Sequence, residues 1–476
     1  MKRLPIRLVI AAWLVVGWLA PAVPVSAADG VVGSGSAGSC TESAFDTVLG
    51  AVQSSGGGFV TFNCGPTAHT IILSNQKLIS ADVDIRGSGL ITLSGGNTTS
   101  LFQVFNSAAL TLRAITITRG YGPSGAIESF GRLDVSDSQL TSNASTGSGG
   151  AITAYGDLAV TNTVFSDNTA GDLGGALNLV SGAATVADSQ FLGNQAVNGG
   201  GAIAAGGTSL VISRSHFNRN RTTATLAEGG AIRSVSSTTI SDSSFALNFG
   251  SRGGGVFANG AVTVTRSTFD TNWSFFGGGI RQAGGSLSVM DSSFTHNGYT
   301  DNGVFFGGDG AGLSLEAGTA ALTGVVIAGN AGTYGGGVNI SAGTLTLTNV
   351  TFSGNTALGS GALDQGGGTV NLVNVTVARN RASFFAAGIA SRFGTLTAKN
   401  VLLSGNVHPD TGQSLNCYKA LPADTLQALA ASNSTTQLAV LTNRMLEPAQ
   451  SPTAAVKMAE DVAQGNVTID EVAGEL

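Results

Sequence analysis

The sequence predicts an all-β fold, a single-stranded right-handed parallel β-helix in which short strands coil around one axis. Three observations predict it: an Asn that recurs at a nearly constant interval, a Gly pair between successive Asn positions, and short alternating segments rich in Thr and Val. A fixed period of about 25 residues is typical of a solenoid, in which each repeat packs only against its neighbours.

An Asn marks each repeat and follows an apolar residue, usually Phe, by three positions. Successive Asn residues are 24 to 28 residues apart, with one longer interval of 33 residues after Asn297. The Asn positions are 143, 168, 194, 220, 248, 272, 297, 330, 355, 380 and 406. Because parallel coils stack about 4.8 Å apart, this pattern predicts Phe on Phe inside the tube and Asn on Asn at a bend.

A Gly pair and a small and an aliphatic residue follow most of these Asn residues after a short loop, as in Gly149, Gly150, Ala151 and Ile152. Such pairs predict positive φ or a close approach of the backbone at a corner. The segments between these markers alternate and are too short and too rich in Gly for helices. Each repeat therefore offers two or three short strands.

The repeated F-x-x-N and G-G-A-[ILV] motifs, for example at 191–194 and 200–203, resemble the repeats of the chlamydial polymorphic outer-membrane proteins. Those repeats belong to the wider pectin-lyase-like right-handed β-helix group. The resemblance spans residues 101–406, and the motif is specific because it recurs in register. It implies display at the cell surface or outer membrane and, in the autotransporter members, an adhesin-like role.

The first 27 residues predict a signal peptide. Lys2, Arg3 and Arg7 precede an apolar run at 8–20, and residues 25–27 have the small-x-small pattern of a cleavage site. The apolar run is shorter than the roughly 20 residues that a membrane span needs. The sequence therefore predicts a secreted or cell-surface protein with no membrane span after cleavage.

Three cysteines are consistent with an oxidising compartment. Cys40 and Cys64 lie close together near the mature N-terminus, and Cys417 stands alone. A bridge between Cys40 and Cys64 is the expectation, and Cys417 is expected to be a free or intermolecular thiol.

Both ends of the solenoid need covering, because an open tube exposes strand edges and core. Residues 41–54 have apolar side chains at helical spacing and predict an N-terminal capping helix. After Cys417 the composition allows a helical cap, a linker or a disordered tail, and periodicity does not choose among them. The predicted domains are a signal peptide at 1–27, a flexible lead at 28–38, the capped solenoid at 39–418 and a C-terminal cap or tail at 419–476.

Composition and charge exclude nucleic acid as a partner. The net charge is −6, and charged residues make up 11% of the chain. No basic patch is available to neutralise phosphates.

Catalytic residues are not apparent in the sequence. Pectin-degrading β-helices need clustered carboxylates with Arg or His. The column three residues before each apolar anchor alternates in charge from Asp188 to Asp291, which is typical of paired charges on adjacent coils rather than of a catalytic strip. His216 and His296 fall in different columns. No catalytic residue, metal site or cofactor is therefore predicted.

Aromatic residues precede the Gly pairs on several adjacent repeats and suggest a binding surface. Phe276, Phe306 and Tyr334 are predicted to share one column on three consecutive coils. One interpretation is that they cover one another and the side of the solenoid. The other is that they form an exposed apolar strip that binds a ligand.

The sequence thus predicts a non-catalytic secreted or cell-surface protein, adhesive or structural, with a glycan or an extracellular protein as its partner. Two alternatives stay open: a polysaccharide lyase or glycoside hydrolase of the same fold, and an inert cell-envelope scaffold. Three or more acidic or basic side chains converging in one lateral groove would favour the enzyme.

Overall fold

A computed structural model describes residues 29–419 apart from 208, 299, 302–303 and 306–307. The predicted signal peptide and residues 420–476 lie outside the described residues. The chain forms a parallel β-solenoid of about 14 coils, in which strands pair with the equivalent strands of the neighbouring coils. The predicted fold class is confirmed.

Sheet I has 27 strands and contributes two strands to most coils. In Thr344–Thr348, for example, Leu345 and Leu347 are buried while the Thr side chains alternate with them and face outward. β-Branched residues suit such a half-buried pleated surface. The strands of sheet I are Gly30–Val32, Gly57–Phe62, His69–Ile72, Asp82–Arg86, Ile91–Ser94, Ala109–Arg113, Thr116–Thr118, Arg132–Ser136, Gln139–Thr141, Leu158–Thr161, Val164–Ser166, Ala183–Ala187, Gln190–Leu192, Ser209–Ser213, His216–Asn218, Thr238–Ser241, Ser244–Ala246, Ala261–Thr265, Thr268–Asp270, Ser286–Met290, Ser293–Thr295, Thr319–Thr323, Val326–Ala328, Thr344–Thr348, Thr351–Ser353, Thr369–Ala378 and Thr395–Ser404.

Sheet II has 14 strands, one from each coil, and follows the Gly corner. Its strands are Lys77–Ile79, Phe102–Val104, Ile127–Ser129, Ile152–Ala154, Leu177–Leu179, Ile203–Ala205, Ile232–Ser234, Val256–Ala258, Ile280–Gln282, Leu313–Leu315, Val338–Ile340, Leu363–Gln365, Ile389–Ser391 and Cys417–Lys419. The aliphatic first residue of most of these strands is the one that the Gly motif predicts for the core.

Two-residue strands follow the Asn bend and form two smaller sheets. They are Tyr121–Gly122, Ala144–Ser145, Thr169–Ala170, Gln195–Ala196 and Arg221–Thr222 in one sheet, and Ala331–Gly332, Thr356–Ala357 and Arg381–Ala382 in the other. The long coil also contains an antiparallel pair, Thr300–Asp301 with Val304–Phe305. This pair accommodates part of the additional length of the 33-residue repeat.

The core contains a continuous stack of Phe rings. From Phe165 to Phe294 the ring centroids of successive coils are 4.7 to 4.9 Å apart and the rings are within 6° of parallel. All of these rings are buried. The predicted placement of Phe on Phe inside the tube is confirmed.

The Asn column is a buried ladder of side-chain amides. The Oδ1 of Asn248 accepts hydrogen bonds from both the backbone N–H and the Nδ2–H of Asn220, each at 3.0 Å. Asn220 Nδ2 also donates to the carbonyl of Phe191, at 2.9 Å. Equivalent bonds link the Asn residues from 143 to 406. The ladder satisfies amide groups that would otherwise be buried without partners.

A second ladder, of hydroxyl groups, was not predicted. The backbone N–H of Ser215 donates to the Ser243 hydroxyl at 3.1 Å, and that of Ser189 donates to the Ser215 hydroxyl at 3.2 Å. These residues lie two positions before the core Phe and are buried. From Val325 onward Val replaces Ser in this column, so the ladder ends there.

The predicted capping helix is present as α1, Glu42–Ser54. Thr41 caps its N-terminus, because the Thr41 hydroxyl accepts a hydrogen bond from the backbone N–H of Ala44 at 3.2 Å. Phe45 and Leu49 are buried and belong to the same core as the first strands. The helix therefore closes the N-terminal end of the solenoid.

Residues 28–38 were predicted to be a flexible lead, but residues 30–32 of this segment form a strand of the solenoid. Gly30–Val32 pairs in parallel with Gly57–Phe62, and Val32 is fully buried. The predicted disulfide between Cys40 and Cys64 is present, with Cα atoms 5.6 Å apart, and links the cap to the end of that strand. The Gly- and Ser-rich composition of the segment conceals that Val32 occupies a core position.

The last described strand, Cys417–Lys419, pairs with Ile389–Ser391. Cys417 is a free thiol, and burial raises its pKa to about 11. The predicted cap or tail at 419–476 lies outside the described residues except for Lys419. Among the described residues, no helix is both long enough and apolar enough to span a membrane.

Candidate functional site: a lateral trough on sheet II

The outward-facing side of sheet II is unusually buried. In Val338–Ile340, for example, the first and third residues belong to the core, and the middle residue faces away from it. Yet Ser314, Asn339 and Asp364 in the middle position are at most 5% exposed. Neighbouring side chains therefore cover this column from both sides, and we infer that the column and its flanking residues form a shallow lateral trough.

We call this feature the lateral trough. Its floor consists of the middle residues of five successive strands: Arg281, Ser314, Asn339, Asp364 and Ala390. One wall consists of Phe276, Asp309, Tyr334 and Phe385. The other wall contains Glu316 and Arg392. The first wall precedes the strands of sheet II in the chain, and the second follows them.

The predicted aromatic column is wrong in its register. Asp309, rather than Phe306, lies beside Phe276 on the next coil, and Tyr334 follows one coil later. The reason is that Leu313 packs in register with the preceding coil and so fixes which residue reaches this wall. Phe306 lies outside the described residues. Phe276 and Tyr334 do line the same wall, two coils apart, and their role in binding stays a prediction.

Aromatic rings cover the end of this wall nearest the C-terminus. The Tyr334 and Phe385 rings stack with centroids 6.3 Å apart, and the centroids of the Phe385 and Tyr418 rings are 5.4 Å apart. Gly359 occupies the coil between Tyr334 and Phe385, and a Cβ there would collide with the Tyr334 ring. The guanidinium of Arg392 lies 5.0 Å from the Tyr334 ring centroid. The absence of a side chain at Gly359 thus permits the stack.

A buried ion pair fixes Arg392. Its Nε and Nη2 donate to Asp364 Oδ1 at 2.9 and 2.6 Å, and the Ser360 hydroxyl donates to Asp364 Oδ2 at 2.6 Å. Asp364 is fully buried. Both carboxylate oxygens are therefore occupied, and the pair orients Arg392 above the aromatic rings.

Arg281 has a different environment. Only 7% of the residue is exposed, and its Nη2 donates to Glu316 Oε2 at 2.5 Å. Its guanidinium lies 4.7 Å from the Phe276 ring centroid, within the range of a cation–π interaction. Nε and Nη1 are buried and have no hydrogen-bond partner among the described residues.

Asp309 is the residue of the trough whose pKa departs most from its ordinary value. Burial, and secondarily the charge of Asp364, raises the pKa of Asp309 to about 6. Arg392 and Arg281 act in the opposite direction, as does a hydrogen bond to the backbone of Tyr334. Groups with such shifts are common in functional sites, although ion-pair networks also produce them.

Asp309→Asn is expected to stabilise the protein at pH 8 and not at pH 4. The raised pKa means that protonation of Asp309 favours folding, fully so below pH 4, and that this contribution is lost as the pH rises through about 6. Discounted for partial exposure, the ionised group costs about 1–2 kcal/mol above pH 7. Calorimetry at both pH values measures this, with the exposed Asp410→Asn as control. A variant less stable than the wild type at pH 8 contradicts the assignment.

The alternating charge column lies away from the trough and is structural. Arg214 donates to Asp188 through Nε and Nη2, both at 2.7 Å, and Arg266 pairs with Asp242 in the same way. These bonds hold the pKa of the two carboxyl groups below the ordinary value. The column is exposed, which confirms the prediction of paired charges on adjacent coils.

The potential metal ligands of the described residues are dispersed. No three His, Cys, Asp or Glu residues are grouped so as to hold a metal ion within the described residues. His216 contacts the Ser244 hydroxyl at 2.7 Å, and His296 contacts Asp270 Oδ1 at 3.0 Å, so the two are in separate surroundings.

Sequence reasoning missed the charged residues of the trough. Arg281 and Asp364 directly follow the aliphatic residue of the Gly motif, a position that holds neutral residues on most other coils and Glu128 and Arg233 on two of them. Aligning the repeats on that aliphatic residue instead of on the Gly pair would have placed Arg281 and Asp364 in one column.

Comparison with protein-family models, with curated proteins and with solved structures finds no match to this chain. The resemblance to the polymorphic outer-membrane repeats therefore depends on the motifs alone, while the parallel β-solenoid is established by the structure.

Proposed function

We propose that this chain is a secreted or cell-surface, non-catalytic β-solenoid that adheres to polysaccharide through the lateral trough. The single observation that carries the proposal is the row of partly exposed aromatic rings, Tyr334, Phe385 and Tyr418, beside the guanidinium of Arg392. Aromatic faces present apolar area with little loss of conformational entropy and suit the apolar faces of sugar rings.

Polar groups at the floor of the trough complement these rings. Ser314 and Asn339 lie in the middle position of their strands, between the two walls. A bound sugar needs both an apolar platform and a few fixed hydrogen-bonding groups, which is the usual composition of a carbohydrate or small-ligand site. The length of the trough over several coils suits an extended chain better than a single small molecule.

Export is part of the proposal and depends on the sequence. The basic and apolar segments at 1–27 are typical of a signal peptide. The disulfide between Cys40 and Cys64 is of the kind that persists in oxidising compartments. Fractionation of producing cells, with non-reduced peptide mapping of Cys40 and Cys64, tests this part directly.

The binding experiment titrates the full chain with a panel of neutral and charged polysaccharides. Tyr334→Ala and Phe385→Ala are each expected to weaken binding by at least about tenfold, because truncation of an aromatic anchor typically costs more than 1 kcal/mol. Tyr155→Ala is the matched control, since Tyr155 stacks on Phe130 with ring centroids 4.8 Å apart, on coils that precede the trough. An equal loss of binding in Tyr155→Ala would show that the trough is not the binding surface. Absence of binding to every polysaccharide would overturn the proposal.

A second candidate function is hydrolysis or lysis of a polysaccharide. The observation that favours it is the presence of Asp309 and Asp364 in one trough with Arg281 and Arg392, the convergence of charges that an enzyme needs. Against it, Asp364 is fully buried and already accepts three hydrogen bonds. Assay of the same panel for new reducing ends or unsaturated products decides: turnover that Asp309→Asn abolishes would replace binding as the function.

A further inference from the structure

Arg281 leaves hydrogen-bonding capacity unused in the lateral trough. A guanidinium has five N–H donors in a planar fork, and its nitrogens Nε and Nη1 are buried without an acceptor among the described residues. Unpaired buried donors are uncommon in proteins, and those attached to a charged group are especially unfavourable. Arg281 belongs to the trough floor, whose middle-position side chains point away from the core.

We infer that Arg281 binds an oxyanion of the ligand, a carboxylate or a sulfate ester, in place of Glu316. This inference rests on the proposed function and specifies the kind of polysaccharide that the trough takes. The present partner, Glu316, makes one hydrogen bond to Arg281, from Nη2.

Replacement of Glu316 by a ligand oxyanion is favourable because the oxyanion can accept more hydrogen bonds from Arg281. An oxyanion with two oxygens in one plane can accept from Nη2 and from an adjacent nitrogen together, which is the preferred geometry for Arg. The second bond would pair a donor that Glu316 leaves unpaired. Glu316 itself is 51% exposed, so its side chain can return to water when it is displaced. Arg392 is less suited to this exchange, because its Nε and Nη2 already bond Asp364, which is fully buried.

Neighbouring charges add a dependence on pH. The charged groups that act on Asp309 are Asp364, Arg392 and Arg281, and Glu316 bonds Arg281 from the opposite wall. An ionised Asp309 opposes an incoming anion, and a protonated Asp309 does not. Because the pKa of Asp309 is raised to about 6, anion binding is expected to strengthen as the pH falls from 7.5 to 5.5. In Asp309→Asn the dependence should flatten.

The test uses two pairs of polymers that differ only in charge: polygalacturonate with its fully methyl-esterified form, and dextran sulfate with dextran. The full chain should bind at least one charged polymer about tenfold or more tightly than its neutral partner, which is the range of one charge-assisted hydrogen bond. Arg281→Lys keeps the charge but not the fork, so it should remove most of this preference, as should Arg281→Gln. Glu316→Gln should tighten binding of the charged polymer severalfold.

Arg214→Gln is the matched control, because Arg214 lies in the exposed charge column outside the trough. Thermal midpoints of all variants establish that they fold. Which pair shows the preference distinguishes carboxylate from sulfate. Equal binding of charged and neutral polymers, or a preference that survives in the Arg281 variants, overturns this inference while leaving Tyr334-dependent binding of neutral glycans intact. Absence of binding to every polymer overturns both.

Discussion

Phe245→Ala is expected to lower the free energy of unfolding by about 4 kcal/mol, the middle of the range for truncating a buried aromatic residue. Phe245 is fully buried between Phe217 and Phe269, with ring centroids 4.7 Å away on either side. Its removal leaves a cavity in the middle of a continuous stack, and coils of a solenoid depend on their nearest neighbours for stability. The neighbouring rings are held by their own strands and cannot close the gap.

Chemical denaturation followed by circular dichroism measures the effect. Phe393→Ala is the matched control, because Phe393 is 66% exposed and its truncation removes little buried area. Phe245→Leu provides a second comparison, since it retains most of the apolar volume. A loss in Phe245→Ala no larger than in Phe393→Ala would contradict the view that the ring stack is a principal source of stability.

The repeat could be predicted from the sequence because its determinants are local and periodic. Asn248 follows Phe245 by three positions, and the same pair recurs at the same place in the next coil. Stacking of identical coils then brings like residues together without any further information. The hydroxyl ladder was equally visible in this pattern, as Ser215 and Ser243 precede Phe217 and Phe245 by two positions.

The backbone conformation of the turns was harder to predict from the sequence. Asp188, Arg214, Asp242 and Arg266 all have φ between 44° and 52°. This left-handed region suits Asn, Asp and Gly, which explains why Asn349 and its successors replace the charged residues later in the same column. Opposite charge explains the presence of Arg beside Asp, and backbone conformation explains why Asn and Gly occupy the later positions of the column.

The candidate site was the least predictable part. Its charged groups belong to several coils, and Glu316 meets Arg281 across 35 residues of chain. The long coil also contains competing Gly motifs, and only the pairing of Leu313 with Ile280 shows which of them occupies the corner. Counting from the first Gly pair therefore assigned Phe306 to a position that Asp309 fills.

Asn248→Ala is expected to cost about 4 kcal/mol, because it leaves several buried polar groups without partners at about 1–3 kcal/mol each. Asn248 Oδ1 accepts from the backbone N–H and the Nδ2–H of Asn220, and its own Nδ2 donates to the Phe217 carbonyl and to Asn272 Oδ1. Asn248 is fully buried, so bulk solvent cannot replace these hydrogen bonds. The groups that lose a partner belong to the coils on both sides of Asn248, so the damage extends along the axis.

Asn371→Ala is the matched control, because Asn371 lies on the outward face of sheet I and bonds only the Thr397 hydroxyl among the described residues. It should cost less than about 1 kcal/mol, as a single exposed hydrogen bond does. Asn248 lies in the core of the solenoid and makes none of the contacts of the lateral trough. Polysaccharide binding by the folded fraction of Asn248→Ala should therefore match that of the wild type. Unchanged stability together with lost binding would instead make the Asn column part of the binding site.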